Sequence, residues 1–325
     1  INATNANGTS QISVPLTVID INAYAHNVAA VSAGGGHSCA LVGGGVQCWG
    51  SNSFGQLGDG AIGDLLYPAQ IFAPGSGVTA VSAGDVHTCA VVNGGVMCWG
   101  LNGGRLGNGG NTQSRVPVVA IPAGSGVTAV SAGYTHTCAV VNGGVQCWGG
   151  NTSGALGVGD TATRLVPTQV IPAGSGATDV QTHGRSFTTC ALVAGGVQCW
   201  GLNNVGQLGN GGTSDSLVPV QTIPPGSGVT ALGGSCVVRN GGVQCWGYNI
   251  SGQLGDGSAV TFSTTPVQTI AEGSGATAVA RSAGFVCAVV AGGLQCWGYN
   301  LNGELGIASK ANSNVPVQTF ANGSG

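Results

Sequence analysis

The tripeptide Cys-Trp-Gly occurs six times, with its tryptophan at positions 49, 99, 148, 200, 246 and 297, and these are all the tryptophans of the chain. Successive copies stand 50, 49, 52, 46 and 51 residues apart. A fixed period of this length restricts the chain to a repeat architecture, in which each copy is one supersecondary unit that buries its apolar face only against its neighbours. Nine positions before the cysteine of each copy stands another cysteine, giving Cys39 with Cys48, Cys89 with Cys98, Cys138 with Cys147, Cys190 with Cys199, Cys236 with Cys245, and Cys287 with Cys296. No cysteine is left over.

The nine-residue spacing has a geometric meaning. Between Cys89 and Cys98 runs Ala-Val-Val-Asn-Gly-Gly-Val-Met, and Asn93-Gly94 is a strong two-residue hairpin signal because a type I′ turn needs positive φ at both central residues. With that dipeptide in the turn, Val92 faces Gly95, Val91 faces Val96, Ala90 faces Met97 and Cys89 faces Cys98. Counting outward, the cysteines fall on a non-hydrogen-bonded pair, where the strands approach closely enough for a disulfide. Gly43-Gly44, Asn142-Gly143, Ala194-Gly195, Asn240-Gly241 and Ala291-Gly292 fit the same register. The spacing therefore predicts six disulfides, one per hairpin. Zinc is the rival reading. Two cysteines at this spacing are too few for a tetrahedral site, and half of the repeats lack a nearby histidine.

Two further strands complete each unit. One follows the pattern Val-Thr-Ala-Val (for example 78–81 and 127–130), and the other Val-Pro-Val-Gln (for example 218–221 and 315–318). Proline cannot donate to a ladder, which puts the second type at a strand start or sheet edge. A loop containing Gly-x-Leu-Gly separates it from Cys-Trp-Gly. Glycine supplies 63 residues at recurring positions, as turn chemistry requires, and helical periodicity is hard to find. Four strands per unit repeated radially make an all-β fold, a β-propeller of six four-stranded blades with one hairpin disulfide per blade, over residues 28–325. Residues 1–27 precede it as an N-terminal segment.

Residues 83–106 and 132–156 carry the fullest form of the pattern, Ala-Gly-x-x-His-Thr-Cys-Ala-Val-Val-Asn-Gly-Gly-Val-x-Cys-Trp-Gly-x-Asn, followed by the Leu-Gly loop. This pattern resembles the repeat of the regulator-of-chromosome-condensation family, over nearly the whole chain from Val28 to Phe320. The resemblance implies a propeller with one repeat per blade, and seven blades is the usual number where six are counted here. Some members are guanine-nucleotide exchange factors that use acidic loops and a protruding wedge, and no such insertion is present. Another is a secreted bacterial inhibitor that binds with one face of its ring, and a secreted bacterial-type propeller is the form this chain resembles most.

Composition removes several classes of function. Charged residues are 5% of the chain, with 7 Lys and Arg against 10 Asp and Glu. Seven scattered basic residues cannot make a nucleic-acid face. No apolar run reaches the length of a membrane helix, so membrane insertion is not expected. Neither a phosphate loop nor a nucleophile elbow occurs and every cysteine is committed, so no enzyme, no cofactor and no metal is expected, and no catalytic residue can be named. His37, His87 and His136 stand two residues before the first cysteine of their blades, where the plainer reading is a repeated hydrogen bond to a neighbouring loop rather than a metal site; His26 and His183 stand alone. Asp59, Asp160 and Asp256 offer one carboxylate per loop, which suits turns better than calcium.

Six disulfides point to an oxidising compartment and hence to an extracellular or cell-surface chain. In that setting Asn2, Asn7, Asn151, Asn249 and Asn322 are candidate glycosylation sites, since each opens an Asn-x-Ser/Thr sequon. A chain that begins at Ile1 is either processed or part of something longer. Val14-Pro-Leu-Thr-Val-Ile19 is a seventh strand of the Val-Pro type, surplus to six blades, with Val14, Leu16 and Val18 on one face. A spare strand either clasps its own ring or adds to the edge of a neighbour. These features favour a structural or adhesive subunit that self-assembles into a filament, its partners being other copies of itself or an extracellular protein. The alternative is a monomeric secreted protein-binding or inhibitor module that uses one face of the propeller.

Overall fold

The computed structural model describes residues 28–182, 187–282 and 284–321. Twenty-four strands are arranged as six antiparallel sheets of four, each sheet ordered as its strands occur in the chain. The blades span residues 28–72, 78–121, 127–171, 177–223, 229–270 and 276–320. The fold is a six-bladed, four-stranded β-propeller with one disulfide in every blade.

The hairpin register is the one the turn dictates. In blade 2, Val92 pairs with Gly95, Val91 with Val96, Ala90 with Met97 and Cys89 with Cys98. Asn93 and Gly94 have φ of 50° and 70°, as a type I′ turn demands. The two cysteine Cα atoms stand 4.1 Å apart in all six blades, the close approach of a non-hydrogen-bonded pair. Blades 4 and 6 hold the turn with Ala194 and Ala291, both at φ 49°. An alanine in this region costs roughly 1–2 kcal/mol, which the adjoining disulfide and ladder overcome.

The core lies between blades rather than within them. Each interface joins the second, third and fourth strands of one blade to the first and second strands and the tryptophan of the next. Between blades 4 and 5, for instance, Leu192, Val197, Leu208 and Ile223 meet Val229, Leu232, Val237 and Trp246. Five of the six tryptophans are fully buried in this way, and Trp49 in blade 1 is partly exposed.

One consequence is that the two ring faces differ. On one side the chain turns in short Gly-rich links, the hairpin turns and the connections between blades. On the other lie the connections between first and second strands and the six long loops after Cys-Trp-Gly, such as 51–64 and 202–215. The surplus strand, with Val14, Leu16 and Val18, lies outside the described residues, as do Asn2, Asn7, Asn322, His26 and His183.

Candidate protein-binding face

Each long loop is built around a buried asparagine two residues after Cys-Trp-Gly: Asn52, Asn102, Asn151, Asn203, Asn249 and Asn300. Its side-chain oxygen accepts the backbone N–H of the loop leucine, at 3.0 Å for Leu57 and 2.9 Å for Leu208, and Leu106, Leu156, Leu254 and Leu305 repeat the bond. Its amide donates across the loop, from Asn203 to the carbonyls of Gly212 and Ser214, and from Asn300 to those of Ser309 and Ala311. One planar amide thus satisfies donors and acceptors at both ends of a loop with no ladder of its own. The signal was present in the sequence as the Asn of Cys-Trp-Gly-x-Asn, but its function there needs the folded loop to be seen.

Two glycosylation candidates fail for this reason. The amides of Asn151 and Asn249 are buried and donate to the carbonyls of Asp160 and Val260, both at 2.8 Å. Neither side chain is available to carry a sugar in the folded protein.

A second network ties successive loops together. The carbonyl of the residue before the loop leucine accepts the indole N–H of the next blade's tryptophan, from Trp99 to Gln56, Trp148 to Arg105, Trp200 to Ala155, Trp246 to Gln207 and Trp297 to Gln253, all within 2.8–3.0 Å. In the first three of these the same carbonyl also accepts a threonine hydroxyl, from Thr88, Thr137 and Thr189. Each hydroxyl is then free to accept from the histidine of the preceding blade: His37 Nε2 lies 2.7 Å from Thr88, His87 2.9 Å from Thr137, and His136 2.8 Å from Thr189. Because the hydroxyl donates to the carbonyl, the ring nitrogen facing it carries the proton. Burial lowers the pKa of His37 to about 4, against the pull of Asp85, and that of His87 to about 3, with Arg105 and the flanking histidines adding to the effect.

The three histidines are therefore interblade connectors and do not converge on a metal. Blade 4 has Thr188 in their place, donating to the carbonyl of Leu202. Blades 5 and 6 are joined instead by Arg281, whose guanidinium donates to the carbonyls of Trp246 and Tyr248, and whose pKa burial lowers to about 10. Among the described residues no group of three or more His, Cys, Asp or Glu could hold a metal ion, and no helix is long and apolar enough to cross a membrane.

The loop aspartates close turns. Asp59, Asp160 and Asp256 each accept the N–H two residues on, from Ala61, Ala162 and Ser258. Asn108 and Asn210 do the same without charge, so the position asks for an oxygen rather than a cation ligand. Arg164 bonds Asp160 at 2.6 Å and holds that carboxyl below its usual range.

Surface charge is nevertheless confined largely to this side. Among the described residues the loop face and its rim hold Asp59, Asp64, Asp85, Asp160, Asp215, Asp256 and Glu304 against Arg105, Arg115, Arg164 and Lys310, while the short-turn face holds Arg239 and Glu272, 4.0 Å apart. The exposed aromatics are Phe54 and Tyr67 in blade 1, Tyr248 and its cross-strand partner Phe262 in blade 5, and Phe320 in blade 6.

With the geometry in hand, comparison with known proteins places the chain. The family model described as the regulator of chromosome condensation (RCC1) repeat matches residues 43–91, 93–140, 142–191 and 194–235, more than half of the chain, and a second model of the same repeat matches 28–56 and 127–155. No curated protein matches the chain in sequence. Among solved structures, human WBSCR16 is 23% identical with a TM-score of 0.78, over 96% of this chain and 84% of that one. The yeast RCC1 protein Prp20, solved with Kap60 bound, is 20% identical with a TM-score of 0.77, over 91% and 76%. Prp20p from Saccharomyces cerevisiae, described with its binding to Gsp1p and histones, is 19% identical with a TM-score of 0.75, over 91% and 77%.

These likenesses correct four expectations. The resemblance to a secreted bacterial-type propeller is replaced by likeness to the RCC1 proteins. The extracellular or cell-surface location does not stand beside the matched propellers, one of which is described by its binding to Gsp1p and histones. Nor does the adhesive, filament-forming subunit or the secreted inhibitor: the matched propellers are described with Kap60 bound and by binding to Gsp1p and histones. The physical reason is that cysteine pairing was read as an address. Hairpin register alone brings the sulfurs together, so pairing geometry carries no information on compartment. The chain belongs to the RCC1-repeat family of β-propellers.

Proposed function

We propose that the chain is a protein-binding module that presents its long-loop face to a partner with basic segments. The observation that carries this reading is the difference between faces. Six loops, each locked by a buried asparagine, form a firm surface with an excess of carboxylates, and the opposite face offers one pair of opposite charges. A charged, preorganised face steers an oppositely charged partner and sets register more than it adds contact energy. A relative described by its binding to histones supports a basic partner.

Neutralising the loop face tests this without disturbing the loops. Asp59→Asn, Asp85→Asn, Asp215→Asn, Asp256→Asn and Glu304→Gln retain a side-chain oxygen for the turn bonds while removing the charge. The parent chain is expected to bind core histones in a salt-sensitive manner, and the five-site variant to bind at least about tenfold more weakly, at a few tenths of a kcal/mol per exposed charge. Arg239→Gln with Glu272→Gln on the other face should leave affinity unchanged. Equal affinity of parent and loop-face variant would sink the proposal.

A further inference from the structure

Five of the six disulfides are sealed by the blade that follows. Cys39 and Cys48 share a core cluster with Trp99 of blade 2, and the pairs of blades 2 to 5 pack in the same way against Trp148, Trp200, Trp246 and Trp297. Eleven of the twelve cysteines are no more than 2% exposed, and the twelfth, Cys287 in blade 6, is half-buried. Its strand divides by face. Val286, Ala288 and Val290 are buried against blade 5, whereas Phe285, Cys287 and Val289 on the other face are all half-buried. Cys287 is paired with Ala280 on one side and with Cys296 on the other, so its backbone lies inside the sheet and what water reaches is the side chain.

We propose that Cys287–Cys296 is a site of thiol–disulfide exchange, opened by a small thiol while the other five bridges stay closed. A thiolate attacks the Sγ of Cys287 and forms a bond to it. The bond between Cys287 and Cys296 breaks, and its electron pair leaves on Cys296, which takes up a proton. A second thiolate then attacks the small thiol's own sulfur in the mixed disulfide and releases Cys287 as a thiol. Two small thiols are oxidised to their disulfide and one protein disulfide is reduced. Cys287 is the sulfur attacked, because Cys296 is only 2% exposed.

The approach to that sulfur is open as well. Attack in line with the S–S bond comes from the side away from Cys296, over the first strand of the blade, where the cross-strand neighbour is the exposed Ala280. In blades 1, 2 and 3 the same place is held by Ser32, Ser82 and Ser131, opposite Cys39, Cys89 and Cys138. Each serine oxygen accepts a backbone N–H of the next blade, from Ala83, Ala132 and Thr182 at 2.9, 2.9 and 3.0 Å, which lays a strand across the path. In blade 5 the place falls to Gly233, and a Cβ there would run into the carbonyl of Val279 in blade 6. Access to the attacked sulfur governs such exchange, and exposed bridges are the labile ones. Blade 6 is therefore the thiol-responsive unit of the ring.

The test treats the full, folded chain with reduced glutathione in mildly alkaline buffer without denaturant, and traps new thiols with N-ethylmaleimide. Cleavage after Arg281 and Lys310 gives a peptide, 282–310, that carries Cys287 and Cys296 and no other cysteine. The chain should take two labels per molecule, both in this peptide, at least about ten times faster than any other pair. The rate should rise in proportion to glutathione, as direct attack requires. Ala280→Phe, a bulky side chain at an exposed position on the line of approach, should slow labelling of this peptide severalfold with the other five pairs still unlabelled. The inference is overturned if the first labels fall in another peptide, if all six bridges open together, or if none opens before the chain unfolds. It is overturned equally by a rate that levels off with glutathione, the mark of a bridge reached only through local opening, or by a rate that Ala280→Phe leaves unchanged.

Discussion

Trp148→Ala should lower the unfolding free energy by about 3–5 kcal/mol, the cost of emptying a large aromatic site in a packed core. The side chain is fully buried between Leu106 and Ile121 of blade 2 and Val141 of its own blade, and its indole N–H donates to the Arg105 carbonyl at 2.8 Å. Because the core lies between blades, the loss falls on the interface and should spread to both. The same substitution at Trp49, which is only partly buried, should cost about 1 kcal/mol, the size of an ordinary partly buried change. Urea midpoints for the two variants beside the parent at pH 7 measure the difference. Equal losses would mean that blade 6 closes on blade 1.

The second large effect is with acid. His37 and His87 are held neutral in the fold with pKa values of about 4 and 3, while the unfolded chain titrates near 6.5. Their contribution is fully present above pH 6.5. Below it the unfolded chain takes up protons that the folded one refuses, and stability falls until each folded pKa is reached. At about 1.4 kcal/mol per pH unit and group, the pair should cost on the order of 5 kcal/mol between pH 6.5 and 4.5. Most carboxylates titrate lower, which leaves this window to the histidines. The double variant His37→Gln, His87→Gln keeps an N–H donor for Thr88 and Thr137 and removes the titrating group. Its unfolding free energy should decline much less between pH 7 and 4.5 than the parent's. A parallel decline in both would locate the acid sensitivity elsewhere.

What the sequence disclosed and what it withheld divide along a physical line. Hairpins were legible because their determinants are local: Asn93-Gly94 fixes the turn, the turn fixes the register, and the register brings Cys89 to Cys98. The count of blades followed from the repeat. Contacts between blades were not legible, since His87 meets Thr137 fifty residues away. Both residues stood in the repeat pattern as His-Thr-Cys, yet nothing local says that the histidine of one copy addresses the threonine of the next. The asparagine within each loop was hidden for a related reason, and two of its copies were mistaken for sugar acceptors. The partial exposure of Trp49 escaped notice because Trp49 and Trp99 sit in the same tripeptide and differ only in what packs against them. Compartment was read from the cysteines, and the likeness to the RCC1 structures runs against that reading.

The most direct test of the binding-face reading is a hydrogen-exchange footprint of the parent chain with core histones. Protection should fall on the long loops, such as 51–64, 202–215 and 249–261, and on the connection around Asp85. Protection confined to the short-turn face, at 122–126, 172–176 and 224–228, would contradict it and move the functional surface to the other side of the ring.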